Sequence, residues 1–179
     1  MRCPTKKRFT RKNKKTLEVL IAVSDQYIDW AGADNRTISR TRGISVVHIN
    51  VINIKSNKDL DEQLKFFRSE KRTFSAVALC PAHGTDTAEI KWSDSSFTEP
   101  TSDAINSVVL NKISKNIHIC ACFQGLFLGH FNKSCNLSGY LGVIGGSTPE
   151  QYQLKYIEAG CQTKNKFVKA GFRYQSYKK

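Results

Sequence analysis

An α/β fold built on a mostly parallel sheet is what this 179-residue sequence predicts. Apolar runs rich in β-branched residues recur along the chain, and polar stretches with helical spacing separate them, the alternation expected when helices cover a parallel sheet. With 40% hydrophobic and 24% charged residues, the composition supports a buried core and excludes disordered, collagen-like and membrane classes. The length suits one domain of about 100–200 residues.

Strands are expected over 17–23, 44–54, 74–80, 117–121 and 140–144. Between the second and third, 57–70 repeats Leu60, Leu64 and Phe67 at helical spacing, with Ser56 or Asn57 as the cap. A second helix is expected over 101–113. There Ala104, Val108, Leu110 and Ile113 make a broad apolar face and Ser102 or Asp103 offers an N-cap. Gly145, Gly146, Ser147, Thr148 and Pro149 then read as a turn and helix start, running to about Glu158.

The net charge of +13 is carried by the ends. Residues 1–15 hold eight basic side chains and residues 164–179 hold six, with no acid in either, which leaves 14 basic against 15 acidic residues in between. The organisation expected is therefore a basic N-terminal tail (1–15), a neutral body (16–163) and a basic C-terminal segment (164–179). Such ends serve either as solvated tails or as nonspecific contacts to nucleic acid. No run approaches the roughly 18 apolar residues of a membrane span. The short apolar run 17–23 contains Glu18 and makes a poor secretory signal. A cytoplasmic protein with no membrane partner is expected, and its six cysteines (Cys3, Cys80, Cys120, Cys122, Cys135, Cys161) are read as thiols.

Parallel sheets of this kind bind ligands beyond the carboxyl ends of their strands. Pro81-Ala82-His83-Gly84 follows the third strand and Cys122-Phe123-Gln124-Gly125 follows the fourth. If those strands are neighbours, His83 and Cys122 meet at one sheet edge, where the imidazole can activate the thiol. The amides of Gly84 and Cys122 can then hold an oxyanion. A helix starting near Phe123 would add its N-terminal dipole.

The pattern of an apolar strand ending in His-Gly, a helix, and a second apolar strand ending in Ala-Cys-x-x-Gly (Ala121 to Gly125) resembles the caspase-like cysteine peptidases. It covers about residues 44–146. Cys120 stands where animal caspases carry Gln and the Gly comes one residue later, so the residues fit the CHAT and metacaspase branch better, with Gln124 in place of a Ser. The resemblance implies a caspase-like three-layer sandwich, a thiol protease with His83 and Cys122 as catalytic residues, and Gly84 in the oxyanion hole. It further implies a protein or peptide substrate, regulation by a protein partner or by chain cleavage, and no cofactor.

Other constellations carry less. His118, Cys120 and Cys122 alternate on one strand, whose rise of about 3.3 Å per residue sets the outer two about 13 Å apart, too far for one metal ion. His130 and Cys135 reach Cys122 only if the chain folds back. His48 alternates with apolar neighbours, as a core or edge histidine does. Asp86 is near enough in sequence to orient His83, though a solvated loop acid is the commoner case. Tyr27, Trp30, Trp92 and Phe97 either line a cleft or plug the core. Gly142, Gly145 and Gly146 lack the Lys-Ser/Thr of a phosphate loop. Substrate-binding residues are not assigned, since Arg36, Arg40, Asp94 and Asp103 fall in unplaced loops. The competing functions are a nucleic-acid-binding or nuclease-like domain using the basic ends, and a catalytically silent interaction module.

Overall fold

The structure, a computed structural model, describes residues 15–24, 36–39, 44–131, 134–142 and 174–177. Among them lie strands β1 (Lys15–Ser24), β2 (Arg36–Ser39), β3 (Ile44–Ile54), β4 (Ala76–Cys80), β5 (His83–Gly84), β6 (Glu89–Lys91), β7 (Glu99–Pro100), β8 (Asn116–Ile119), β9 (Asn136–Tyr140) and β10 (Tyr174–Tyr177). The helices are α1 (Asn57–Ser69) and α2 (Thr101–Leu110). The main sheet runs β10-β9-β8-β4-β1-β3-β2. Its five central strands are parallel, and β2 and β10 join antiparallel at the edges.

Parallel strands are shielded on both faces and therefore read as continuous apolar runs. Val19 to Val23 and Ala76 to Cys80 are buried residue after residue. One face of the sheet, formed by Leu20, Ala22, Val77, Leu79, Ile117, Ile119 and Leu137, shares a core with Leu60, Leu64 and Phe67 of α1 and with Ala104, Ile105 and Val108 of α2. Strand order reverses direction at β1, which pairs with β3 on one side and β4 on the other. The carboxyl ends of β1 and β4 consequently flank the switch point, the place where such sheets bind ligands.

Helix α1 starts at Ser56, whose Oγ accepts from the Asp59 N–H at 3.1 Å. Helix α2 begins at Thr101, but neither Ser102 nor Asp103 caps it: Pro100 precedes it with no side-chain cap. Tertiary bonds fix this start instead, since the Thr101 N–H donates to the Ala88 carbonyl at 3.0 Å and Asn57 Nδ2 donates to the Pro100 carbonyl at 2.9 Å. The helix also ends three residues before the expected 113. Lys112 takes the left-handed conformation, and the N–H groups of Lys112 and Ile113 return to the carbonyls of Val109 and Val108, a Schellman closure.

The fifth parallel strand is displaced from expectation: 136–140 forms it, and 141–142 lies beyond it. Ser138 and Gly139 resemble turn residues in the sequence, yet Gly139 is in the strand because another backbone approaches it there. Within the basic C-terminal segment, Tyr174–Tyr177 pairs with β9 as an edge strand rather than a tail. The helix read over 149–158 lies outside the described residues, as do Tyr27, Trp30, Arg40, Cys3 and Cys161.

Candidate active site

Strands β4 and β8 are neighbours in the register Leu79↔Ile119, and the Cys120 N–H extends the ladder by donating to the Leu79 carbonyl at 2.7 Å. Two residues further on, Cys122 is partly exposed at the sheet edge. Phe123 then adopts φ 61°, ψ −10°, a left-handed turn that reverses the chain immediately after the thiol. Its N–H donates to the Gly142 carbonyl at 3.1 Å. One 3-10 turn, Gln124–Phe127, succeeds it in place of the expected helix. This turn is too short to supply a helix dipole.

His83 opens β5, the first strand of a small antiparallel sheet, β5-β6-β7, that connects β4 to α2. The Thr85 N–H donates to the Glu89 carbonyl at 2.9 Å, so Gly84 and Ile90 are the non-hydrogen-bonded pair of this ladder and the Gly84 N–H is turned away from β6. On its other side Gly84 rests on the Ala121–Cys122 segment. A methyl group added there would run into the Cys122 carbonyl oxygen, with Ala121 Cβ and the Cys122 nitrogen each 3.0 Å away. Gly84 is therefore in direct backbone contact with Ala121 and Cys122.

Two more glycines extend it. A methyl on Gly125 would lie 2.8 Å from the carbonyl oxygens of Gly139 and Tyr140, and one on Gly139 would lie 3.1 Å from the Gly125 nitrogen. The Gly of Cys-x-x-Gly is thus required by the close approach of the 3-10 turn to β9.

Gln124, unassigned a role by the sequence, is fully buried and joins these segments. Its Oε1 accepts from Thr101 Oγ1 at 2.7 Å; its Nε2 donates to the carbonyls of Thr85 and Glu89, both at 3.1 Å, and to that of Cys122 at 3.4 Å. One amide ties the Cys122 turn to the His83 hairpin and the start of α2. The carboxylate on His83 is likewise not Asp86 but Asp94, in the turn after β6, whose Oδ1 meets His83 Nε2. The Ser93-Asp94-Ser95-Ser96 run, rich in turn formers, is the sequence signal that places Asp94 beyond β6, and the pairing His83↔Lys91 brings that turn alongside His83.

The other described thiols, Cys80, Cys120 and Cys135, are buried. Cys80 and Cys120 end adjacent strands, and burial pushes the Cys80 thiol well above its ordinary pKa, reinforced by its hydrogen bond with Cys120. Burial also pushes the Cys135 thiol up. His118 Nδ1 pairs with Ser138 Oγ at 2.9 Å inside the sheet, apart from Cys122. Among the described residues no three His, Cys, Asp or Glu side chains are grouped to hold a metal ion, and no helix is long and apolar enough to cross a membrane. Trp92 belongs to the core, fully buried with its Nε1 donating to Asn57 Oδ1 at 2.9 Å, whereas Phe97 is exposed. Comparison with protein families, with curated proteins and with solved structures finds no match.

Proposed function

We propose that the chain is a cysteine endopeptidase of caspase-like type, with Cys122 as nucleophile and His83 as general base and acid. The observation that carries this reading is the contact of Gly84 with Ala121 and Cys122, which sets the His-bearing and Cys-bearing strand ends against each other. The left-handed Phe123 and the Gln124 tether support it by fixing where the thiol emerges. The finer fold proposed is a caspase-like three-layer sandwich, supported by burial on both faces of β1, β4, β8 and β9 and by the small sheet between β4 and α2.

In the proposed reaction the Cys122 proton passes to His83 and the thiolate attacks a peptide carbonyl. The amides of Gly84 and Cys122 receive the oxyanion. Collapse breaks the C–N bond, and His83 returns its proton to the departing amine. Water, deprotonated by His83, then hydrolyses the thioester. None of these steps uses a cofactor. A reducing compartment, the cytoplasm, suits a nucleophile that must remain a thiol.

The test is digestion of a proteome-derived peptide mixture, with new N-termini read by mass spectrometry. Cys122→Ala is expected to abolish new termini, and Cys120→Ala, at a buried position, to retain them. Loss with Cys120→Ala alone, or cleavage surviving Cys122→Ala, would overturn the assignment.

A further inference from the structure

We propose that Asp94 is the positioning residue of this site, holding His83 through Nε2 so that Nδ1 is the nitrogen that exchanges a proton with the Cys122 thiol. The inference rests on the peptidase reading above and assigns the two ring nitrogens, which that reading leaves equivalent. A neutral imidazole has one N–H and one bare nitrogen. A carboxylate can only accept, and Asp94 Oδ1 stands on Nε2, so the proton resides on Nε2 and Nδ1 is the base.

The carboxylate is built into position. The Ser93 N–H donates to Ser96 Oγ at 3.0 Å, the Ser96 N–H returns to the Ser93 carbonyl at 3.2 Å, and Ser96 Oγ donates to that same carbonyl at 2.9 Å. Asp94 occupies the second position of this turn. The turn is anchored one residue upstream by the buried Trp92, which bonds Asn57 through its indole and accepts Ser24 Oγ on its carbonyl. Across the ladder from His83 stands Lys91, while Glu89 is engaged by Thr87 Oγ1 at 3.0 Å and Glu99 by the Asn57 N–H at 3.0 Å. Among these, Asp94 is the acid that reaches the ring.

The side chains of His83 and Asp94 are 48% and 59% exposed, so water screens their charges and the main contribution of Asp94 is orientation. In the step itself the thiol S–H bond breaks, its electron pair stays on sulfur, and the proton joins Nδ1. The Nε2–H keeps its bond to Asp94 throughout. When the tetrahedral intermediate collapses, the C–N bond breaks and the leaving nitrogen takes the proton from Nδ1.

Iodoacetamide labelling of Cys122, followed peptide by peptide across pH in the full chain, tests the arrangement in wild type, Asp94→Asn, Asp94→Glu and His83→Ala. Asp94→Asn is expected to slow Cys122 labelling near neutral pH by roughly threefold to tenfold, the scale of a half-exposed charge-assisted hydrogen bond, and to move the profile to higher pH. Asp94→Glu is expected to restore part of the rate, and melting temperatures are expected to stay unchanged. Nitrogen-15 spectra of His83 in Cys122→Ala protein are expected to show the proton on Nε2. A wild-type profile in Asp94→Asn alongside a shifted one in His83→Ala would overturn Asp94 alone, as would a proton on Nδ1. A wild-type profile in His83→Ala would instead overturn the dyad on which the proposal stands.

Discussion

Truncating Gln124 to alanine would remove the donor to the part-buried Thr85 carbonyl and the acceptor of the buried Thr101 hydroxyl, while the Glu89 carbonyl keeps the Thr85 N–H. Each buried group left unpaired costs about 1–3 kcal/mol, and part of the strain can relax, so a loss of about 2–4 kcal/mol is expected for Gln124→Ala. Urea unfolding checks it, and an unchanged midpoint would mean that water takes the place of the amide. The same residue marks the limit of what the sequence reveals. His83, Gly84 and Cys122 were legible as residues just past the ends of neighbouring strands, because each follows an apolar run. Gln124 and Asp94 were not, since their partners come from segments distant along the chain and no local pattern distinguishes a buried glutamine from a solvated one. Asp86 is an exposed acid, the commoner case for a loop residue near a histidine in sequence.

Both described helices close with a lysine in the left-handed conformation, Lys71 after α1 and Lys112 after α2, each at φ 56°. The Arg72 N–H to Phe67 carbonyl bond at 2.9 Å and that of Ile113 to Val108 at 3.1 Å complete the two closures. A side chain there costs roughly 1–2 kcal/mol, and glycine gives back part of that gain as chain entropy, so Lys71→Gly and Lys112→Gly should each stabilise by about 0.5–1 kcal/mol. Thermal unfolding of the single and double variants measures it, with additive gains expected from such separated sites. At this scale periodicity served well where one rule governed: 44–54 and the α1 start match the structure because alternation and capping agree. It failed where tertiary contact overrode local preference. Pro100 and Thr101 set the start of α2 through bonds to Asn57 and Ala88, and Gly139 is a strand residue because Gly125 needs room beside it.

Across the whole molecule, burial of thiols couples stability to alkaline pH. The folded-state pKa of Cys80 is raised, first by burial and then by its hydrogen bond with Cys120, and that of Cys135 is raised by burial. Below the unfolded thiol value of about 8.5 both states keep the proton, and this contribution is fully present. Above it the unfolded chain ionises while the folded one does not, so stability falls as pH rises, by up to about 1.4 kcal/mol per pH unit for each thiol held protonated. The urea midpoint should therefore drop between about pH 8.5 and 10, and Cys80→Val should flatten the fall. A slope indifferent to that substitution would assign the alkaline loss to other groups. The glycine contacts have a separate consequence, for inheritance. Gly84, Gly125 and Gly139 hold three chain segments together by having no side chains, and the side chains proposed for the chemistry take no part in those contacts. On the proposed reading a single codon change at Cys122 or His83 would silence the chemistry without altering the backbone, whereas a change at any of the three glycines would displace two segments at once. Descendants of this chain could lose the reaction and keep the shape far more readily than the reverse.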